Sequence, residues 1–236
     1  MTNPEISSAA LIAGTVLCVD KPLHWTSFDV VKKLKWALEN QCKIKKLKIG
    51  HAGTLDPLAD GLLILCTGKK TKEISLIQDM EKTYSGTFVL GATTPSYDLE
   101  TGIDQTFDIS KITRKEIIAA TKILTGEYNQ MPPLFSAKKV DGQRAYDIAR
   151  AGKTVELKPK LVTVYSFEIT NLELPKIHFR IRCSKGTYIR SMAHDLGKLL
   201  NNGAYLAKLR RENIGSFSLD SALDVDGWLK VISHIQ

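Results

Sequence analysis

Asp56 is the side chain whose surroundings most suggest chemistry. It lies in Gly50-His51-Ala52-Gly53-Thr54-Leu55-Asp56-Pro57-Leu58-Ala59-Asp60-Gly61, directly before the apolar run Leu62-Leu63-Ile64-Leu65-Cys66. Glycines let another backbone or a ligand approach closely, and Pro57 fixes φ. A carboxylate held in such a loop suits nucleophilic or general-base work. The same residues also make an ordinary Asx turn, whose carboxylate bonds nearby backbone N–H groups. Residue types alone do not separate the two readings. Asp60, beside Gly61, reads as a turn residue. His51 has the chemistry of a general acid or a metal ligand, but no second His, Cys or carboxylate stands at ligand spacing, which argues against zinc. Beside glycines in a basic chain it suits stacking against a base equally well.

A second constellation is Lys185-Gly186-Thr187-Tyr188-Ile189-Arg190. It follows an alternating segment and opens a helical one, so its backbone N–H groups form an anion site. Tyr188 could stack a base, and Arg190 could hold a carboxylate or phosphate. Equally, Tyr188 could pack on a sheet and Arg190 pair with a surface acid. Ser27, Ser136 and Ser184 have no nucleophile-elbow context. Gly68-Lys69-Lys70-Thr71 lacks the upstream glycine of a P-loop, and no dinucleotide fingerprint is present.

The elements that must carry these residues follow from periodicity. Leu11 to Val19 reads as a strand closed by Asp20-Lys21-Pro22. Thr26 or Ser27 caps a helix with apolar positions Val30, Val31, Leu34 and Leu38. Leu62 to Cys66 is a strand buried on both faces, Lys72 to Met80 is helical, and Tyr84 to Leu90 is a strand. Thr113-Arg114-Lys115-Glu116 forms a capping box, with Gly126 ending that helix. From Gln130 to Lys160 the pattern loosens: Met131-Pro132-Pro133 breaks it, Asp141-Gly142 turns, and Gln143 to Ala151 makes a short helix. Leu161 to Ile169 and Ile177 to Ser184 are strands. The second has Ile177, Phe179, Ile181 and Cys183 on one face and His178, Arg180 and Arg182 on the other. A helix to Leu200, a strand within Tyr205 to Phe217 and a helix from Val225 to Ile232 complete one α+β domain around a mixed sheet, residues 1–236.

Of 236 residues, 43% are hydrophobic and 25% charged, as in a globular protein with a real core. No apolar run is long enough to span a membrane, and the N-terminal residues lack a basic n-region. The four cysteines are far apart and form no CxxC pair, which fits a reduced, cytoplasmic thiol set. The net charge of +8 is unevenly placed. Seven lysines stand between Lys32 and Lys48 against Glu39 alone. Lys176, Arg180, Arg182, Lys185 and Arg190 form a second cluster, and Lys208-Arg210-Arg211 a third. Each could be a solvated face; together they suit a polyanion.

These pieces resemble the TruB-type pseudouridine synthases. GHAGTLDPLADG fills every specified position of that family's G-H-x-G-x-L-D-P-x-A-x-G motif. An L-x-V-D-K-P-like start at Leu17 to Pro22, Lys82-Thr83-Tyr84, Cys183 to Arg190 and Leu209-Arg210-Arg211 follow in order, over roughly residues 14 to 230. The resemblance implies a mostly antiparallel sheet flanked by helices, with an RNA-gripping insertion at about 130–160. It implies isomerisation of the uridine at position 55 in the T loop of tRNA to pseudouridine, with no cofactor and no metal. Asp56 is then the catalytic carboxylate, acting either by attack on ribose C1′ or by abstracting a ribose proton. Tyr84 packs on the flipped uracil and serves proton transfer at C5. Arg190 pairs with the aspartate. Tyr188 and Leu209 line the base pocket, His51 enters the space the base vacates, and Lys21 supports the site.

The sequence departs from the family pattern in two places. Many relatives have Thr-Asp-Thr-x-Asp where this chain has Thr94-Pro95-Ser96-Tyr97-Asp98, and many continue into a PUA-type RNA-binding domain. A short form without that domain, acting as a monomer on the T arm of tRNA, is the expectation. A tRNA-folding chaperone would use the same basic faces but has no need of Asp56, Tyr84 and Arg190 together. An enzyme acting on another RNA through a guide is the third reading.

Overall fold

A computed structural model describes residues 6–135 and 157–235, and between them the backbone of 139–140 and 143–144. The chain divides into two compact units, Met1–Tyr84 with Arg210–Gln236, and Ser85–Leu209.

The first unit begins with α1 (Ser8–Ala13), β1 (Val16–Lys21), α2 (Ser27–Gln41), β2 (Ile49–His51) and β3 (Ala59–Thr67). The strand expected from Leu11 starts later, at Val16. The Ser7 hydroxyl caps a short helix by accepting from Ala10 N, and Gly14 at φ 126° ends it. α2 forms as expected, on a full capping box between Thr26 and Asp29. The segment expected as a helix from Lys72 opens as a 3₁₀ turn, Gly68–Glu73, and becomes α3 at Ile74–Asp79. β4 (Lys82–Leu90) then passes into the second unit.

There follow β5 (Ala92–Thr93), β6 (Gln105–Thr106), α4 (Arg114–Ile123), β7 (Gly126–Gln130), β8 (Lys139–Val140), β9 (Gln143–Arg144), β10 (Lys160–Glu173), β11 (Lys176–Cys183) and α5 (Ile189–Leu199). The Thr113–Glu116 capping box is present, but α4 ends at its Leu124 cap and Gly126, at φ 101°, opens β7 instead. Gln143 and Arg144 are extended, paired with Lys139–Val140, where a helix was expected. The rest of that expected helix lies outside the described residues. β12 (Ala204–Ile214) returns to the first unit, which closes with β13 (Phe217–Ser218), β14 (Leu223–Asp224) and α6 (Val225–Ser233).

In the first unit the strand order is β14-β1-β3-β12, with β2 on β3 and β13 on β12. β14 runs parallel to β1, and β3 antiparallel to it. β3 is buried on both faces, as its continuous apolar run requires. Leu63 and Leu65 pack with Val30, Leu34 and Leu38 of α2 and Trp228 and Ile232 of α6. Leu62, Ile64 and Cys66 pack with Ile77 and Ile214 on the other side.

In the second unit the order is β12-β4-β11-β10-β7, with β10 antiparallel to both neighbours. The alternation read from β11 holds: Ile177, Phe179, Ile181 and Cys183 are buried, while Arg180 and Arg182 face solvent. Phe179 meets Phe88 at 4.1 Å between ring centroids, and Phe167 stands edge-on to both. Gly86 is required where β4 passes β12 and β11, because a Cβ there would overlap the Lys208 carbonyl and the Phe179 ring. The result is an α+β fold, a mixed and mostly antiparallel sheet flanked by helices.

Candidate active site

The loop from Ala52 to Pro57 carries Asp56, and long-range partners hold its backbone. Ser27, the first residue of α2, accepts from Leu55 N at 2.8 Å and donates to Leu55 O at 3.1 Å. His24, itself at φ 66°, donates its N–H to Pro57 O at 2.7 Å. Ala59 N closes the turn on Asp56 O at 3.0 Å. From β12, the guanidinium of Arg211 donates to Leu62 O at 2.8 Å, Gly53 O at 3.1 Å and Thr54 O at 3.4 Å. Gly61 must be glycine, because at φ 99° a Cβ would overlap the Arg211 backbone. The turn chemistry and the rigid aim of Asp56 are therefore one device.

Arg211 is also the electrostatic centre of this region. It is 1% exposed, and burial lowers its pKa while Tyr84 and Asp56 favour its charged form. At pH 7 the guanidinium is still a cation. Lys21 is wholly buried; its ammonium donates to Trp25 O at 2.6 Å and Pro22 O at 2.9 Å. Burial lowers its pKa to about 8, against the opposing pull of Asp60 and Asp56. His51, half-buried at the end of β2, is pushed down by burial and, to a lesser degree, by Arg211, so its ring is neutral at pH 7. The first unit thus brings Lys21, His51, Asp56 and Tyr84 around one buried arginine.

The second unit carries Tyr188, Arg190 and Leu209. Tyr188 is the N-cap of α5 but makes no side-chain cap bond. Gln130, 1% exposed at the end of β7, supplies the missing cap. Its Oε1 accepts from Tyr188 N at 2.8 Å and its Nε2 donates to Tyr188 O at 3.1 Å. Nε2 also donates to the Tyr128 hydroxyl at 2.6 Å, and that hydroxyl reaches Asp195 on α5 at 3.5 Å. Arg190 is buried, with Nη1 3.6 Å from Asp98 Oδ2 and 3.5 Å from Ser96 O. Asp98 is fixed by its own loop: Thr94 Oγ1 donates to its carbonyl at 2.6 Å, and Oδ1 accepts from Glu100 N at 3.0 Å. Ser96 and Thr101 cross-link the same loop at 2.8 Å.

Comparison with known proteins shows the family. Residues 40–189 match the family described as TruB family pseudouridylate synthase (N terminal domain). A Flavobacterium johnsoniae protein named tRNA pseudouridine synthase B is 54% identical over 215 residues, 91% of this chain and 94% of that protein. A Bacteroides fragilis protein of the same name is 52% identical over 89% of this chain and 91% of its own length. The chain belongs to the TruB family. It is a pseudouridine synthase by descent and by fold. Solved structures agree: a chain of an archaeal box H/ACA sRNP Nop10–Cbf5 complex superposes with TM-score 0.68 at 25% identity over 98% of this chain. A chain of a Cbf5–Nop10–Gar1 complex superposes with TM-score 0.70 at 28% identity over 96%. This chain spans 60% of the length of either.

Within this TruB-family chain, several residues that matter to the site are missed by sequence reasoning. Arg211 reads in sequence as part of a basic surface cluster, yet it is buried beneath the Asp56 loop. Its neighbour Arg210 is neutralised by Asp20 at 2.7 Å and Asp60 at 3.1 Å. Asp60 is therefore a strand residue in an ion pair, where a turn residue was expected. Ser27, Gln130 and Asp98 are the other three. Asp98 did carry a signal, as the last acid of the Thr-Asp-Thr-x-Asp pattern, whereas Ser27 and Gln130 offered only a residue type, such as a serine at a helix start. Among the described residues no cluster of His, Cys, Asp and Glu could hold a metal ion, and no helix is long and apolar enough to cross a membrane.

Proposed function

We propose that the protein converts uridine 55 in the T loop of tRNA to pseudouridine, with Asp56 as the catalytic carboxylate. The observation that carries this reading is the clamped backbone on both sides of Asp56, which spends a serine, a buried arginine and two glycines on the aim of one side chain. Such preorganisation is what a reaction at a single ribose carbon requires.

The uridine must first leave the helical stack, at a cost of a few kcal/mol. The neutral ring of His51 suits the vacated space, since it can stack without needing a counter-ion. Asp56 then acts at the ribose, by bonding to C1′ or by removing a ribose proton. In either route the N1–C1′ bond breaks, and the freed uracil turns against Tyr84, Tyr188 and Leu209. A C5–C1′ bond then forms, the C5 proton leaves and N1 ends protonated. Tyr84 serves that proton transfer. Composition is unchanged, so the reaction balances without cofactor, oxidant or metal. The family resemblance gives Arg190 the role of partner to the catalytic aspartate, and Lys21 that of supporting the loop. The lysine-rich stretch from Lys32 to Lys48 and the insertion at about 130–160 grip the T arm, which makes binding strongly salt-dependent. The protein works as a cytoplasmic monomer.

Incubation with unmodified tRNA transcript and no cofactor, followed by carbodiimide-dependent primer extension, should give a stop at position 55. No stop in the T loop overturns the assignment. Asp56→Asn should lose the stop and keep tRNA affinity; retained turnover would remove Asp56 from its role.

A further inference from the structure

The solvent face of α2 carries a groove to which the steps at the ribose and the base assign no role. It has a volume of about 620 Å³ and is lined by His24, Trp25, Asp29, Lys32, Lys33 and Trp36. The helical members recur at three- and four-residue spacing, so they stand along one side of α2. Val30, Val31, Leu34 and Leu38 are buried on the other. Trp36 is 65% exposed, and Phe28, one turn before Lys32, is 67% exposed. Neither ring serves the core.

We propose that this groove binds an unpaired nucleotide of the RNA substrate, its base stacked on Trp36 and its phosphates on Lys32 and Lys33. The inference rests on the RNA-substrate reading above and extends it. Three observations favour this occupant. An exposed indole beside two lysines is the combination that holds single-stranded nucleic acid, through the base face and the backbone charge together. The one acid in the groove, Asp29, is turned to the helix start, its Oδ2 accepting from Thr26 N at 2.9 Å and from the Thr26 hydroxyl at 2.6 Å. Exposed Lys43, Lys45, Lys46 and Lys48 extend the positive charge along the chain beyond the helix. The groove also adjoins the Asp56 loop. His24 at its rim is one backbone hydrogen bond from Pro57, and the Trp25 carbonyl is held by the Lys21 ammonium. A nucleotide seated there belongs to the same RNA that presents its uridine to Asp56.

The test is filter binding of a tRNA transcript at several salt concentrations, alongside steady-state pseudouridine formation. Trp36→Ala should weaken binding about 5- to 160-fold, the range that loss of one base–aromatic stack gives. It should raise KM and leave kcat unchanged. Trp36→Phe should restore affinity to within about threefold. Lys32→Gln with Lys33→Gln should flatten the salt slope of log K by about 1.4, at about 0.7 per single-stranded phosphate. Unchanged affinity and slope in Trp36→Ala overturn the proposal. So does a loss of self-association in sedimentation with RNA binding intact, which would make the face a contact between copies of this chain. The two readings fail separately: absent T-loop product from the unsubstituted protein breaks the function, while normal product with unaffected variants breaks only the groove.

Discussion

The Asp56 loop and the start of α5 each hold residues expected to act in catalysis, and each is fixed through its backbone, but with different materials. The Asp56 loop is held by a charged group: Arg211 reaches three carbonyls from a site with 1% exposure. The start of α5 is held by a neutral one, the Gln130 amide, which caps Tyr188 from both sides. A glycine-rich loop has no internal ladder of hydrogen bonds, so its carbonyls need strong, multidentate donors. A helix start already has an ordered geometry and lacks only a partner for its end groups, so one amide suffices. Charge is spent where the backbone is least able to order itself.

This contrast sets an order of expected effects. Arg211→Met should be the most damaging, because it leaves the carbonyls of Gly53, Thr54 and Leu62 without their donor. A loss of about 3–5 kcal/mol in urea unfolding is expected, with activity falling further than stability does. A loss no larger than that of Gln130→Ala would break the contrast. Gly61→Ala should cost about 2 kcal/mol or more through its left-handed φ and the overlap with the Arg211 backbone. Its unfolding midpoint compared with that of Gly126→Ala, at φ 101° with nothing within 4 Å of a new Cβ, isolates the packing effect. Gln130→Ala should cost about 1–2 kcal/mol and lower kcat about tenfold while leaving the Asp56 loop intact.

The smallest effect concerns pH. Burial raises the Asp195 carboxyl to about 6, so its contribution to stability is full below 3.8 and is lost as pH rises through 6. Burial lowers the adjacent His194, which stacks on Tyr97 at 4.1 Å, to about 4. Its contribution is full above 6.5 and is lost as pH falls through 4. The two oppose each other between pH 4 and 6 and leave a nearly flat profile. Asp195→Asn should uncover the histidine's half, a decline of about 1 kcal/mol from pH 6.5 to 4 after solvent screening. His194→Gln should uncover the opposite slope. Thermal melts across that range read both, and two unchanged profiles would show that neither group is linked to folding.

Features set by neighbours in the chain were legible from the residues. The Thr26–Asp29 and Thr113–Glu116 capping boxes, the alternation of β11 and the doubly buried run of β3 depend on spacings of two to four residues, which sequence displays directly. The GHAGTLDPLADG motif picked out the loop, and the TruB family followed from it. The misread ends have local causes too. Ser7 captures Ala10 N and makes a helix of a segment that reads as strand. Gly126 begins β7 because the last turn of α4 had already closed on the Ala120 and Lys122 carbonyls.

By itself, then, the sequence determined most of the elements and the family, and it singled out the loop that holds Asp56. Only the tertiary structure decided what holds that residue and which charges are spent internally. Arg211 meets Gly53 across 158 positions, Gln130 meets Tyr188 across 58, and Arg190 meets Asp98 beyond the reach of any local pattern. A basic residue in a strand looks the same in sequence whether it faces solvent or the core. Its neighbours in space settle the matter, because a buried cation is tolerated only where carbonyls and carboxylates have been brought to meet it.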